Sequence, residues 1–180
     1  MIKCILFDMV GVLGKINEDS LTIDEQMVLE GKDKYQFDEE YYEYMENQLT
    51  NLSKEEIEDL TYETTLKTIV PMNQNIVNEV MELREDMEFG VITNHISVAK
   101  QWFEENFPDI YNVYTSGDLG LKKPSEYIFK YVAKDLGIEE EEILFIDDDI
   151  KNVESAQEAG MKSDIYNETM DIMSVIKRFI

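Results

Sequence analysis

Hydrophobic positions in this chain fall into short blocks separated by longer stretches of helical periodicity. Residues 2–8 (IKCILFD) are short, apolar and β-prone, and such a run fits a strand buried on both faces. Similar runs recur at 89–93 (FGVIT), 111–116 (YNVYTS) and 143–147 (ILFID), with a weaker fifth at 162–166. Between them the apolar residues take helical spacing. Ile76, Val77, Val80 and Leu83 share one face, as do Ile96, Ala99 and Phe103, then Ile128, Val132 and Leu136, then Val153 and Ala156. Gly137 and Gly160 stand where helix C-caps would end these segments. Strands alternating with amphipathic helices predict an α/β fold built on a doubly wound parallel sheet.

One interval breaks the alternation. From Lys15 to Pro71 no strand pattern is visible, only polar, acidic, tyrosine-rich sequence with helical markers. Ser53 and Glu56 form a capping box ahead of Ile57 and Leu60. Tyr41, Tyr42, Tyr44, Met45 and Leu49 suit a helix with one apolar side. The expected organisation is an α/β core from residues 1–14 and 72–180, interrupted by a helical insertion at 15–71.

Charge changes the picture of what such a chain can bind. Forty acidic residues against sixteen basic ones give a net charge of −24. A surface of this sign repels phosphate backbones and anionic membranes, which argues against a nucleic-acid groove or membrane attachment. An apolar fraction of 43% is ordinary for a globular protein, so the charge does not imply disorder. Cys4 is the only cysteine and lies inside an apolar run, which predicts a packed thiol and not a nucleophile. The first apolar run is too short for a signal peptide and is stopped by Asp8, so a cytoplasmic protein is expected, as a monomer or homodimer.

In an open parallel sheet, ligands bind at the carboxyl ends of the strands. The first strand ends in Asp8, the second in Thr93 with Asn94, and the fourth in Asp147, Asp148 and Asp149. After the third strand a glycine-containing loop delivers Lys122 and Lys123 ahead of Pro124. Carboxylates converging at one sheet end stay ionised when a cation lies between them, and oxygen-only ligation of this kind suits Mg²⁺ with a substrate phosphate. A lysine and a hydroxyl complete a clamp on a transferring phosphoryl group, and an aspartate can be the nucleophile.

The ordered segments FDMVGVL, VITN, LKKPSEYIF and ILFIDDDIKNVESAQEAGM resemble the four motifs of the haloacid dehalogenase superfamily, and the resemblance spans the whole chain. It implies a Rossmann-type core, with the stretch at 15–71 falling where many members insert a small helical cap. It further implies that Asp8 is both nucleophile and metal ligand, and that the Met9 carbonyl coordinates Mg²⁺. Thr93 and the Asn94 amide would hold the phosphoryl oxygens, and Lys123 would orient the nucleophile and neutralise charge. Asp148 is the implied metal ligand of its run with Asp147 beside it, while Asp149 belongs to the loop.

Position 10 departs from that pattern. Phosphatases of this family usually place a second aspartate two residues after the nucleophile, where it protonates the leaving group. Here the residue is Val10. Losing a general acid costs roughly 10²–10⁴-fold for a poor leaving group. The expected activity is therefore Mg²⁺-dependent hydrolysis of a small phosphorylated metabolite, slowed at the leaving-group step. Two other readings stand beside it: a catalytically weak relative that binds a phosphometabolite or a protein, and a dehalogenase-type hydrolase that needs no metal. His95 reads as a surface residue at a helix start, the aromatic trio Trp102, Phe103 and Phe107 as core, and the tyrosines of the insertion as packing.

Overall fold

A computed structural model describes all 180 residues. The chain runs β1 (Cys4–Phe7), β2 (Gly14–Ile16), α1 (Ile23–Lys34), α2 (Asp38–Gln48), α3 (Lys54–Thr68), β3 (Ile69–Pro71), α4 (Ile76–Met81), β4 (Glu88–Thr93), α5 (Ala99–Asn106) and β5 (Asn112–Thr115). It continues through α6 (Ser116–Leu119), α7 (Glu126–Leu136), a 3₁₀ turn at Glu140–Glu142, β6 (Ile143–Asp147), α8 (Ile150–Glu158), β7 (Lys162–Ile165) and α9 (Ile172–Ile176). Five strands form one sheet in the order β5-β4-β1-β6-β7. Every neighbouring pair in it is parallel.

The unbroken apolar strands are explained by this order. β1 lies between β4 and β6 and is fully buried, and its side chains alternate between two cores. Ile5 and Phe7 join Leu144 and Ile146 of β6 on one face, under α4, α5 and α9. Cys4 and Leu6 join Ile143 and Phe145 on the other, under α7 and α8. Burial pushes the Cys4 thiol up to about 12, as befits a packed, unreactive group. Trp102 stacks edge-on against Phe103 at 4.9 Å in the first core. Gly137 caps α7 in the left-handed conformation, and Gly160 likewise has positive φ just after α8.

Two helical assignments shift. Leu83 lies beyond the end of α4 and is 52% exposed, because the helix stops at Met81. Ile96 precedes α5 and packs into a third cluster with Val28, Tyr41, Met45 and Ile57. That cluster holds α1, α2 and α3 together, so the tyrosine-rich interval is helical as its pattern predicts. Ser53 and Glu56 cap α3 reciprocally, and Thr22 with Glu25 does the same for α1.

The interval also contains strands that the hydrophobic pattern hides. β2 and β3 pair antiparallel at its two ends, Gly14 opposite Pro71 and Ile16 opposite Ile69. Three residues per strand are too few for an alternation to register. The indole N–H of Trp102 donates to the Ile69 carbonyl at 2.9 Å and fastens this ribbon to the first core. No helix is long and apolar enough to cross a membrane.

Candidate active site

Asp8, Lys123 and Asp147 meet in one buried ion network. β1 ends at Phe7 and β6 at Asp147, and the two strands are neighbours, so their carboxylates emerge side by side. Lys123 reaches between them from the loop after α6. Its ammonium lies 2.7 Å from Asp8 and 2.6 Å from Asp147, with the side chain 1% exposed. Burial opposes the lysine's charge, but the two carboxylates outweigh it and hold its pKa above the ordinary value.

The carboxylates differ in how they are used. Asp147 is fully buried, and both its oxygens are taken. Lys123 and the Asn152 amide donate to one at 2.6 and 3.0 Å, and the Asp149 N–H donates to the other at 2.8 Å. Asp8 keeps one oxygen beyond its contact with Lys123. Burial and the charge of Asp147 push its pKa up to about 7 against the pull of Lys123. Asp148 faces outward, and desolvation together with Asp147 raises its pKa as well. Asp149 caps α8 through the Lys151 N–H, which is the loop role expected of it.

Carboxylate oxygens of Asp8, Asp147 and Asp148 all lie within 4.8 Å of one another. Three acids this close, two with raised pKa, could hold a cation in addition to the Lys123 ammonium. The donor set is all oxygen, and it fits a hard divalent ion.

The turn after β1 is shaped around this cluster. The Met9 carbonyl accepts from the N–H groups of Val12, Leu13 and Gly14 at 3.4, 2.9 and 2.8 Å, and the Met9 side chain is buried in the first core. That carbonyl is committed to the turn, which removes it as a metal ligand. The Val10 carbonyl accepts no backbone hydrogen bond.

Thr93 and Asn94 stand at the end of β4, one strand from Asp8. The Asn94 side chain grips the backbone of Lys123 from both sides, accepting its N–H and donating to its carbonyl, each at 2.8 Å. This fixes the base of the lysine. Lys122 turns away, over the ring of Phe37 at 5.7 Å.

His95 is 9% exposed, not the surface residue expected. Its Nδ1 lies 3.1 Å from the Ile96 carbonyl, which only accepts, so Nδ1 carries the proton. Burial, helped by the charge of Lys32, lowers its pKa to about 3, and the ring is neutral. His95 and Lys32 line a cavity of about 270 Å³ together with Val10, Ile16, Leu29, Gln36 and Asn94. A larger acidic groove of about 860 Å³ lies along α2 and α3 and contains none of the strand-end residues. Asn152 and Lys32 carry no signal that the sequence analysis used, and His95 reads there as a surface residue. Asn152 was legible as a helix-start amide five residues after Asp147, whereas the other two depend on how the insertion docks.

A doubly wound parallel sheet with carboxylates and a lysine gathered at its strand ends defines a class of hydrolases. Residues 5–165 match the haloacid dehalogenase-like hydrolase family, and the chain belongs to it. It is 31% identical over 108 residues, 57% of its length, to a glyceraldehyde 3-phosphate phosphatase of Methanocaldococcus jannaschii, of which the match covers 47%. It is 35% identical over 60 residues to a drimenol cyclase of Aspergillus calidoustus, covering 33% of this chain and 11% of the cyclase. The chain thus spans half or less of the curated relatives it matches. A haloacid dehalogenase family enzyme of Bacteroides thetaiotaomicron, solved with magnesium and inorganic phosphate, superposes with a TM-score of 0.70 at 20% identity, covering 97% of this chain and 99% of that one. The L-2-haloacid dehalogenase of Xanthobacter autotrophicus gives 0.64 at 15% identity, over 91% and 76%.

Proposed function

We propose that this hydrolase is a magnesium-dependent phosphatase of a small phosphorylated metabolite. The observation that carries the reading is the Lys123 ammonium held between Asp8 and Asp147 while Asp148 remains free of protein partners. A buried lysine at 2.7 Å opposes the rise of the Asp8 pKa and aims the carboxylate. A carboxylate so placed is a nucleophile, and the free acid beside it is a metal ligand.

In the proposed reaction an Asp8 oxygen attacks phosphorus, the ester P–O bond breaks, and the departing oxygen leaves with the bonding pair. Water then attacks the aspartyl-phosphate and releases inorganic phosphate, restoring the carboxylate. Lys123 offsets charge on the phosphoryl oxygens, and the Thr93 hydroxyl and Asn94 backbone bind them. Asp8, Asp148 and the uncommitted Val10 carbonyl would hold Mg²⁺, with Asp147 in support. The ion supplies a positive charge that screens the phosphate from the attacking carboxylate. Asp147 acts through Lys123, which it holds in place.

Residues 15–71 serve as a cap on a core made of 1–14 and 72–180. Support comes from the docking of the α1–α2 junction on the loops after β4 and β5. Asp38 accepts the Ser97 N–H at 2.8 Å, and Ser116 donates to the Gln36 carbonyl at 2.6 Å. A roof of this kind excludes macromolecules and bulk water.

Val10 puts an aliphatic side chain, packed against the first core, where a proton donor would act. The proposed enzyme is therefore slow with alkoxide leaving groups. A panel of phosphorylated metabolites assayed with and without Mg²⁺ tests the reading. Release of phosphate only in its presence is expected, and metal-independent turnover of a haloacid instead would overturn it.

A further inference from the structure

The cavity between the inserted helices and the core contains a lysine without an acidic partner. Lys32 comes from the last turns of α1, and its ammonium bonds only to the Thr65 hydroxyl, at 3.1 Å. It forms no ion pair, although acids outnumber bases by more than two to one in this chain. Asp33, the other charged residue lining the cavity, is its exposed chain neighbour; its charge raises the Lys32 pKa without closing to an ion pair. Thr65 in turn is anchored to the Thr61 carbonyl at 2.7 Å, so the contact that places the ammonium is itself fixed. Burial lowers the Lys32 pKa to about 8, which leaves it largely protonated near neutrality.

A partly buried cation without a counter-ion is unfavourable unless something supplies the opposite charge. The remaining lining shows the shape of that partner. Val10, Ile16, Leu29 and Ile69 make an apolar wall, and about 270 Å³ has room for roughly nine water-sized groups, the size of a small metabolite. His95 adds a neutral ring whose unprotonated Nε2 is able to accept a hydrogen bond. Val10 follows Asp8 by two positions and Asn94 adjoins Thr93, so the cavity borders the proposed phosphoryl site.

We propose that this cavity receives the leaving-group end of the substrate and that Lys32 binds a carboxylate there, making the substrate a small phosphorylated hydroxy acid. The assignment rests on the phosphatase reading above. It adds a charge requirement which that reading lacks.

The test compares 3-phosphoglycerate with glycerol 3-phosphate, which differ by a carboxylate against a hydroxymethyl, and uses 4-nitrophenyl phosphate as a substrate that needs no tail contact. Wild-type protein with Mg²⁺ is expected to favour 3-phosphoglycerate through a lower KM. A hydrogen bond to a charged group is worth about 1.5–3 kcal/mol, so Lys32→Met should cut the ratio of the two kcat/KM values by roughly 10- to 150-fold. Lys32→Arg should restore part of the preference, which a purely structural role would not do. Circular dichroism confirms that both variants fold. Hydrolysis of 4-nitrophenyl phosphate by the wild type without preference for 3-phosphoglycerate overturns the carboxylate site and leaves the phosphatase reading intact. No hydrolysis of any ester, with calorimetric binding of 3-phosphoglycerate that is lost in Lys32→Met, overturns the phosphatase reading and keeps the site.

Discussion

Gly11 and Asp148 share one small space. Gly11 has φ +94°, and a β-carbon built there would lie 2.3 Å from an Asp148 carboxylate oxygen. Gly11→Ala therefore combines a backbone penalty of roughly 1–2 kcal/mol with displacement of the Asp148 carboxylate. The expected outcome is a modest fall in Tm and a loss of roughly 10–100-fold in Mg²⁺ affinity, the scale seen when a ligand loses its support. Calorimetric titration with Mg²⁺ checks this, and unchanged affinity would show that Asp148 does not bind the ion.

Asp147 and Asp148 are adjacent in sequence and should respond oppositely. Asp148→Asn is expected to keep the stability of the metal-free protein and remove most of the Tm gain from Mg²⁺. Asp147→Asn removes one partner of a buried pair with Lys123 and is expected to cost roughly 3–5 kcal/mol before any metal is added. Urea unfolding with and without EDTA separates the two.

In the proposed reaction position 10 governs the leaving group. Val10→Asp is expected to accelerate alkyl phosphates by up to roughly 10²–10⁴-fold and aryl phosphates much less, because an aryl oxide departs without a proton. Asp8→Asn should abolish both. Steady-state kinetics on 4-nitrophenyl phosphate and glycerol 3-phosphate decide it, and equal acceleration of both esters would sink the assignment.

His95 makes stability depend on pH in a stated direction. Its pKa of about 3 in the fold lies below the ordinary 6.5, so the unfolded chain binds a proton that the folded one refuses. The stability this group provides is present above pH 6.5 and declines as pH falls toward 3. By pH 5 the loss is about 2 kcal/mol. His95→Gln removes that dependence, so the wild type should lose about 2 kcal/mol more than the variant between pH 7 and pH 5 in urea melts.

What could be read from the sequence was whatever a local period or a strand end encodes. β1, β4 and β6 are apolar runs that the sheet buries on both faces, whereas the edge strands β5 and β7 are only partly buried, and Asp8, Thr93 and Asp147 stand at the ends of the three central ones. The capping box at Ser53 is local chemistry, and α3 begins there. Features decided by long-range docking leave no such local trace. β2 and β3 are recognisable only once they meet, residues 17–68 having folded between them. His95 and Ile96 look like the start of a helix, but the docked insertion buries both. The Met9 carbonyl is taken up by the turn after β1, which closes back on it, an event with no periodic signature.

The Asn94 clamp on Lys123 bears on when the site comes into being. Asp8 is made early, yet its counter-ion comes from a loop after β5 and is braced by strands on both sides of β1. No hairpin or fragment can reproduce the arrangement, because each carboxylate obtains its charge partner through contacts between distant parts of the chain. A nascent chain thus has its first acid in place long before the lysine that tames it. The buried cluster of Asp8, Lys123 and Asp147 appears only as the central sheet completes, so it is a reporter of the folding of the whole α/β unit.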